Sequence, residues 1–272
     1  YFKMMQKKIK VLQVIPRLGY GGAETGCYDF AHFLPENGCK SFIATSGGEL
    51  LQFVDKKKVK IFKLPVHSKN PILMLLNSII IAFIVLVYNI KIVHARSRAP
   101  AWSCLLATKI TGRKFVTTFH GTYNFSNRMK MFYNSVMVRS DLVIAGSNFI
   151  FSHINNNYGN FFINNKRKLL VIFRGINTNY FDPRKISPFK LDKFSKANHV
   201  DRNNFIILLP GRLTQWKGQK IFIEAIKLLS EKKDIPTIQA IILGSDQGRN
   251  VYKKQLFDLT QQHRLNKIIK FI

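Results

Sequence analysis

Short apolar runs rich in β-branched residues alternate with helix-periodic segments along almost the whole chain, and that alternation leaves few folds open. Residues 9–15 (IKVLQVI) form the first run, closed by Pro16. A glycine-rich turn at 19–22 follows. Residues 23–35 then place Cys27, Phe30, Ala31 and Leu34 at helical spacing. The pattern continues with strands at 41–45 and 59–64, a long apolar helix from Ile72, a strand at 90–95, a helix at 101–109, and strands at 114–119, 142–145 and 169–173. Strands alternating with helices predict an α/β fold, a parallel sheet covered on both faces.

The stretch from Asp182 onward is polar and basic and contains Pro183 and Pro188, which predicts a linker over 183–204 between a first domain, 1–182, and a second, 205–272. In the second domain the alternation resumes with strands at 205–209, 238–243 and 268–272 and helices at 219–229 and 251–263. A doubly wound domain uses about five or six strands, so the expectation is that this second domain is incomplete here.

Residues 72–88 (ILMLLNSIIIAFIVLVY) carry no charge. A spanning helix needs about 20 apolar residues, and a span would place the motifs on its two sides across a bilayer from one another. The expectation is a helix packed on the sheet, with an apolar face open to a membrane or a partner.

With 46% hydrophobic residues the chain is too apolar for disorder. Its three cysteines, Cys27, Cys39 and Cys104, include no CxxC pair, which fits a reducing cytoplasm and neither a disulfide scaffold nor a zinc site. The start reads as a strand and not as a cleavable leader. Forty-three Lys and Arg against fourteen Asp and Glu give a formal charge of +29. That field favours anionic partners, although a lysine-rich base composition explains it as well. The basic residues are scattered, and no RNP, KH, zinc-finger or helix-turn-helix pattern is present, so nucleic acid is not expected as a partner.

Three motifs sit where strands end. Gly19-Tyr20-Gly21-Gly22-Ala23-Glu24 joins a strand to a helix, so its backbone suits either a plain tight turn or close approach to an anion at the helix start. Pro210 to Gly218 (PGRLTQWKG) sets Arg212 and Lys217 on a glycine-bounded loop after a strand. There a fork donor and a point charge suit a diphosphate whose growing charge must be neutralised as it leaves. Thr117 to Thr122 (TTFHGT) puts His120 at a third strand end, able to donate to a sugar hydroxyl or a phosphate, or simply structural.

Together with IVHARS, VIAGSNFI, VIFRGINTNYFDP and IILGSDQGR in the same order, these motifs make the chain resemble the retaining glycosyltransferases of family 4, nearly throughout its length. The resemblance implies the GT-B fold: two Rossmann-like doubly wound domains facing across a cleft, the second holding most of a nucleotide sugar. It implies that Arg212 and Lys217 bind the donor diphosphate, that Gly21 and Gly22 lie near the donor phosphates and the acceptor, and that His120 stands near the transferred sugar. Gly244 and Ser245 resemble the turn near the nucleotide. No metal or other cofactor is expected, only a nucleotide-diphosphate sugar as co-substrate, and no DxD stands at a strand end. The family's paired-glutamate segment has no counterpart in this sequence, so the donor half-site is expected to be incomplete.

The function so implied is transfer of a sugar to a hydroxyl of a lipid-linked or polysaccharide acceptor, such as lipopolysaccharide core. The basic charge and the apolar helix add the expectation of an anionic membrane surface as partner, at the cytoplasmic face of the inner membrane. The alternative is a catalytically incomplete glycan- or glycolipid-binding protein.

Overall fold

The computed structural model describes residues 8–123, 127–163 and 167–272. The chain divides into two compact units, Tyr1–Gly175 and Ile176–Ile272.

In the first unit the elements follow in the order β1 (Lys10–Val14), α1 (Gly22–Glu36), β2 (Lys40–Thr45), β3 (Val59–Lys63), α2 (Pro71–Val87), β4 (Ile92–Ala95), α3 (Arg98–Thr111), β5 (Lys114–Phe119), α4 (Arg128–Ser135), β6 (Leu142–Ala145), α5 (Asn148–Tyr158) and β7 (Lys168–Val171). The strands form one sheet in the order β3-β2-β1-β4-β5-β6-β7. All of its pairings are parallel. The order reverses at β1, so the carboxyl ends of β1 and β4 flank the switch point where α/β sheets bind ligands. Two apolar clusters result. One holds Leu12, Val14, Ile81, Val85, Cys104 and Phe119. The other gathers Ile15, Cys27, Ala31 and Ile43. Buried on both faces, these strands read as near-continuous apolar runs.

The second unit comprises α6 (Pro188–Ala197), β8 (Phe205–Pro210), α7 (Gln219–Ser230), β9 (Ile238–Leu243), α8 (Asn250–Gln262) and β10 (Ile269–Phe271), with a parallel sheet in the order β10-β9-β8. Ile223 and Ile226 of α7, Leu256 of α8, and Ala240 and Ile242 of β9 are its buried centre. β8 pairs with β9 on one side only among the described residues, and Phe205, Ile206 and Leu208 are exposed on it.

The structure differs from the sequence-based expectation in specific places. The segment read as a linker, 183–204, contains α6. Ser187 caps that helix by accepting from Lys190 N at 3.3 Å, and Pro188 occupies its first turn. The division between units falls after Gly175 and not after residue 182. Helices α4 and α5 were not anticipated; Asn127 and Ser147 cap them through Lys130 N (2.8 Å) and Ile150 N (3.2 Å).

Among the described residues no helix is long and apolar enough to cross a membrane. α2 starts at a strong cap, Asn70 Oδ1 accepting from Ile72 N at 2.9 Å, with Pro71 in its first turn. Its buried face carries Asn77, Ser78, Ile81, Ala82, Ile84 and Val85, and Asn77 Nδ2 donates to Pro65 O at 3.1 Å. The two polar residues of this helix therefore face inward while its apolar side faces out, the reverse of an ordinary surface helix.

Candidate functional site

In the first unit, chemistry-bearing groups collect at the carboxyl ends of β1, β4, β5 and β7. Gly21 is the N-cap of α1, in extended conformation and with no side-chain cap, and the carboxylate of Glu24 in the first turn lies against it. The first turn of α1 is overlaid by Arg174, which follows β7. Its guanidinium donates to Gly22 O, and Cβ atoms at Gly22 and Gly26 would stand 2.8 and 2.7 Å from its nitrogens. A side chain at Gly22 would displace that guanidinium from the first turn of the helix.

Arg96 follows β4 and is 9% exposed. Its Nε donates to Gln13 Oε1 at 2.7 Å, Gln13 Nε2 donates to Cys27 O at 3.0 Å, and the guanidinium lies 5.7 Å from the Phe30 ring centre. A buried arginine held by a neutral amide and an aromatic face keeps its full charge for something else. Among the described residues neither Arg96 nor Arg174 is in an ion pair with a carboxylate.

His120 follows β5, and its Nε2 is buried without a hydrogen-bond partner. Burial, then the charges of Arg96 and Arg174, push its pKa down to about 4. His94, on β4, is buried with its Nε2 2.8 Å from Thr118 Oγ1, and burial lowers its pKa as well. At neutral pH His120 is an uncharged imidazole with one ring nitrogen free to accept from, or donate to, a hydroxyl.

A pH dependence follows. The unfolded chain protonates a histidine near pH 6.5, whereas folded His120 resists protonation until about pH 4. Stability is therefore full above pH 6.5 and falls on acidification across that window, by about 1.4 kcal/mol per pH unit for the group. Urea unfolding of wild type and His120→Gln between pH 8 and 4 is expected to give a difference constant above pH 7, with the wild type losing ground below pH 6.5. Parallel curves would show that His120 is not buried as described.

In the second unit, Arg212 and Lys217 lie on the loop after β8, and Gly244 and Ser245 on the turn after β9. The two loops are laced together: Gly211 N donates to Leu243 O at 2.8 Å and Leu213 N to Ser245 O at 3.1 Å. Gly244 presses on the Gly211 carbonyl so closely that a Cβ there would collide with it. The loop's backbone is fixed from below, where Gln219 Nε2 donates to Arg212 O at 2.9 Å and Gln219 Oε1 accepts from Tyr252 Oη at 3.3 Å. The Lys217 stem runs beside Gly211, and neither Arg212 nor Lys217 is in an ion pair among the described residues. Ser245 is exposed, and its Oγ accepts from Gln247 N at 3.1 Å, which shapes the turn.

Within each unit the structure therefore gathers the residues singled out from the sequence: Gly21, Gly22 and His120 in the first, Arg212, Lys217, Gly244 and Ser245 in the second. Arg96 and Arg174 were missed as site residues. The available signal was their position directly after strands, inside IVHARS and VIFRGINTNYFDP.

The profile of a family described as Glycosyltransferase Family 4 matches residues 20–180, and that of Glycosyl transferases group 1 matches residues 191–272. The crystal structure of a glycosyltransferase from Rickettsia africae ESF-5 is 38% identical with a TM-score of 0.81, over 98% of this chain and 68% of that one. The Anabaena protein Alr3699/HepE, crystallised with UDP and glucose, is 21% identical with a TM-score of 0.75, over 97% of this chain and 69% of that one. EpsD of Bacillus subtilis (strain 168), provisionally named a glycosyltransferase, is 32% identical over 79 residues, which is 29% of this chain and 20% of EpsD.

Proposed function

We propose, from the premise that this chain belongs to glycosyltransferase family 4 and has the GT-B fold, that it serves transfer of a sugar from a nucleoside-diphosphate donor to a hydroxyl, with retention at the anomeric carbon. The observation that carries this is the pair Arg212 and Lys217 on one strand-end loop, its backbone braced by Gln219 and both charges without a carboxylate partner among the described residues. Departure of a nucleoside diphosphate builds negative charge on its outer phosphate, and preorganised cations at that point stabilise the transition state more than the ground state. No metal is required in this scheme, because the two side chains do the neutralising. His120, neutral and with an open ring nitrogen, is assigned to hydrogen-bond the transferred sugar.

The acceptor is assigned to a cell-envelope glycan or glycolipid such as lipopolysaccharide core. Arg96 and Arg174, neither paired with a carboxylate among the described residues, support an acceptor that itself carries negative charge. The exposed apolar side of α2 and the charge of +29 support a peripheral position at the cytoplasmic face of the inner membrane.

Calorimetric titration with UDP-, GDP- and ADP-linked sugars, and with a CMP-linked sugar, tests the donor. Saturable binding of at least one diphosphate donor, displaced by its free nucleoside diphosphate, is expected, with the CMP-linked sugar silent. UDP-glucose is the first to try, given the ligands of the Anabaena structure. Silence from every diphosphate would remove the donor assignment.

A further inference from the structure

A groove of about 390 Å³ opens in the first unit at the amino ends of β5, β6 and β7, the opposite end of the sheet from Arg96, His120 and Arg174. Lys109, Arg113, Lys114, Arg139 and Arg167 line it, with Asp141 as its one acidic side chain. Asp141 is already committed: it accepts from Phe115 N at 2.8 Å and lies 3.6 Å from Lys114. The negative end of α3 accounts for cations at Lys109 and Arg113, but Arg139 and Arg167 come from other elements. These two are oriented, because their guanidinium carbons stand 5.6 and 5.9 Å from the same Phe161 ring centre. Arg139 also donates to Ser135 Oγ at 3.2 Å and Arg167 to Phe161 O at 3.5 Å.

The groove adjoins the outward apolar side of the unit. Arg113 Nη2 donates at 3.3 Å to Asn89 Oδ1, just past the end of α2, while its Nε is buried without a partner. α2 packs along α3. Ile72, Leu75, Leu76, Ile79, Phe83 and Leu86 recur at helical spacing on the exposed side of α2, and Leu106 and Ile110 of α3 extend the same apolar area toward Lys109.

We propose that this is a membrane-docking surface: the α2 face enters the headgroup–acyl boundary of a bilayer, and the groove takes the phosphate of an anionic phospholipid. The inference rests on the peripheral-membrane part of the function proposed above. Charge selects the occupant. A second copy of this chain brings another +29 and is repelled, whereas an anionic bilayer is attracted. α2 is too short to span, so it lies in the interface plane. The lipid phosphate is distinct from any sugar phosphate, because the groove and the strand-end cluster are at opposite ends of one sheet.

The test is partition of the chain onto phosphatidylcholine vesicles with and without about 30% phosphatidylglycerol, a composition chosen to mimic an anionic leaflet. Four variants are compared: Arg139→Gln/Arg167→Gln, Arg139→Lys/Arg167→Lys, Ile79→Asn/Phe83→Asn, and Lys56→Gln/Lys57→Gln as an equal charge loss elsewhere. The Gln pair is expected to lower partition onto anionic vesicles about 30-fold, two charges at about fivefold each, with neutral vesicles little affected. The Lys pair retains most of the binding, which separates charge from loss of fold. The α2 pair lowers partition onto both vesicle types. If the Gln pair loses no more than the Lys56/Lys57 control, the groove assignment falls while membrane docking stands. If glycerol phosphate binds the groove in the absence of vesicles but leaves partition onto anionic vesicles unchanged at equal ionic strength, the groove is a soluble-phosphate site and the lipid assignment falls. If wild type binds neither vesicle while still binding its donor, docking and groove both fall and the donor assignment survives.

Discussion

Replacing Arg212 and Lys217 together by alanine is expected to lower affinity for a nucleoside diphosphate by about 10²–10⁴-fold. A hydrogen bond to a charged group contributes about 1.5–3 kcal/mol; two such bonds give the stated range at about 1.4 kcal/mol per factor of ten. The fold should survive, because the loop's backbone is held by Gln219, Leu243 and Ser245 and by the buried Leu213, and not by either cation. Trp216, 74% exposed between them in sequence, offers a fluorescence signal for the titration. Arg212→Lys should fall between wild type and the double variant, since an ammonium supplies charge without the two-pronged geometry. Unchanged affinity in the double variant, with an unchanged melting profile, would dissociate this loop from the donor phosphates.

Gly244→Val is expected to destabilise the second unit by about 3–5 kcal/mol. The added Cβ would overlap the backbone carbonyl of Gly211, and the glycine sits at φ 154°. Overpacking costs about 1–3 kcal/mol, and an unfavourable backbone conformation adds about 1–3 kcal/mol. For a domain of this size each kcal/mol lowers the melting temperature by about 4–8 °C, so a drop well above 10 °C is expected. Scanning calorimetry should show it in the transition of the second unit, with that of the first unit unmoved. A shift below a few degrees would mean that the two strand-end loops are not pressed together as described.

The parallel strands were the most legible part of the sequence. β5, β6 and β9 run over the residues anticipated, because a strand buried on both faces is an unbroken apolar run bounded by Gly, Pro or charge. Helices α4 and α6 were hidden, since RMKMFYNS and PFKLDKFSKA have too few apolar residues to show a period. Only the cap signals Asn127 and Ser187-Pro188 marked them. The site residues were found where their neighbours in sequence were glycines at strand ends. Arg96 and Arg174 were not, because their significance comes from burial and from strand order, which sets β4 beside β1 although β2 and β3 intervene in sequence.

The side of β8 turned away from β9 has a material consequence. Among the described residues no strand pairs with that side, and Phe205, Ile206 and Leu208 are exposed along it, so it suits the pairing of a further strand. A short peptide of alternating apolar and lysine residues should therefore anneal to this edge in register and act as a chaperone during refolding. A bulge or a proline introduced at Ile206 should blunt the same edge and keep concentrated solutions clear.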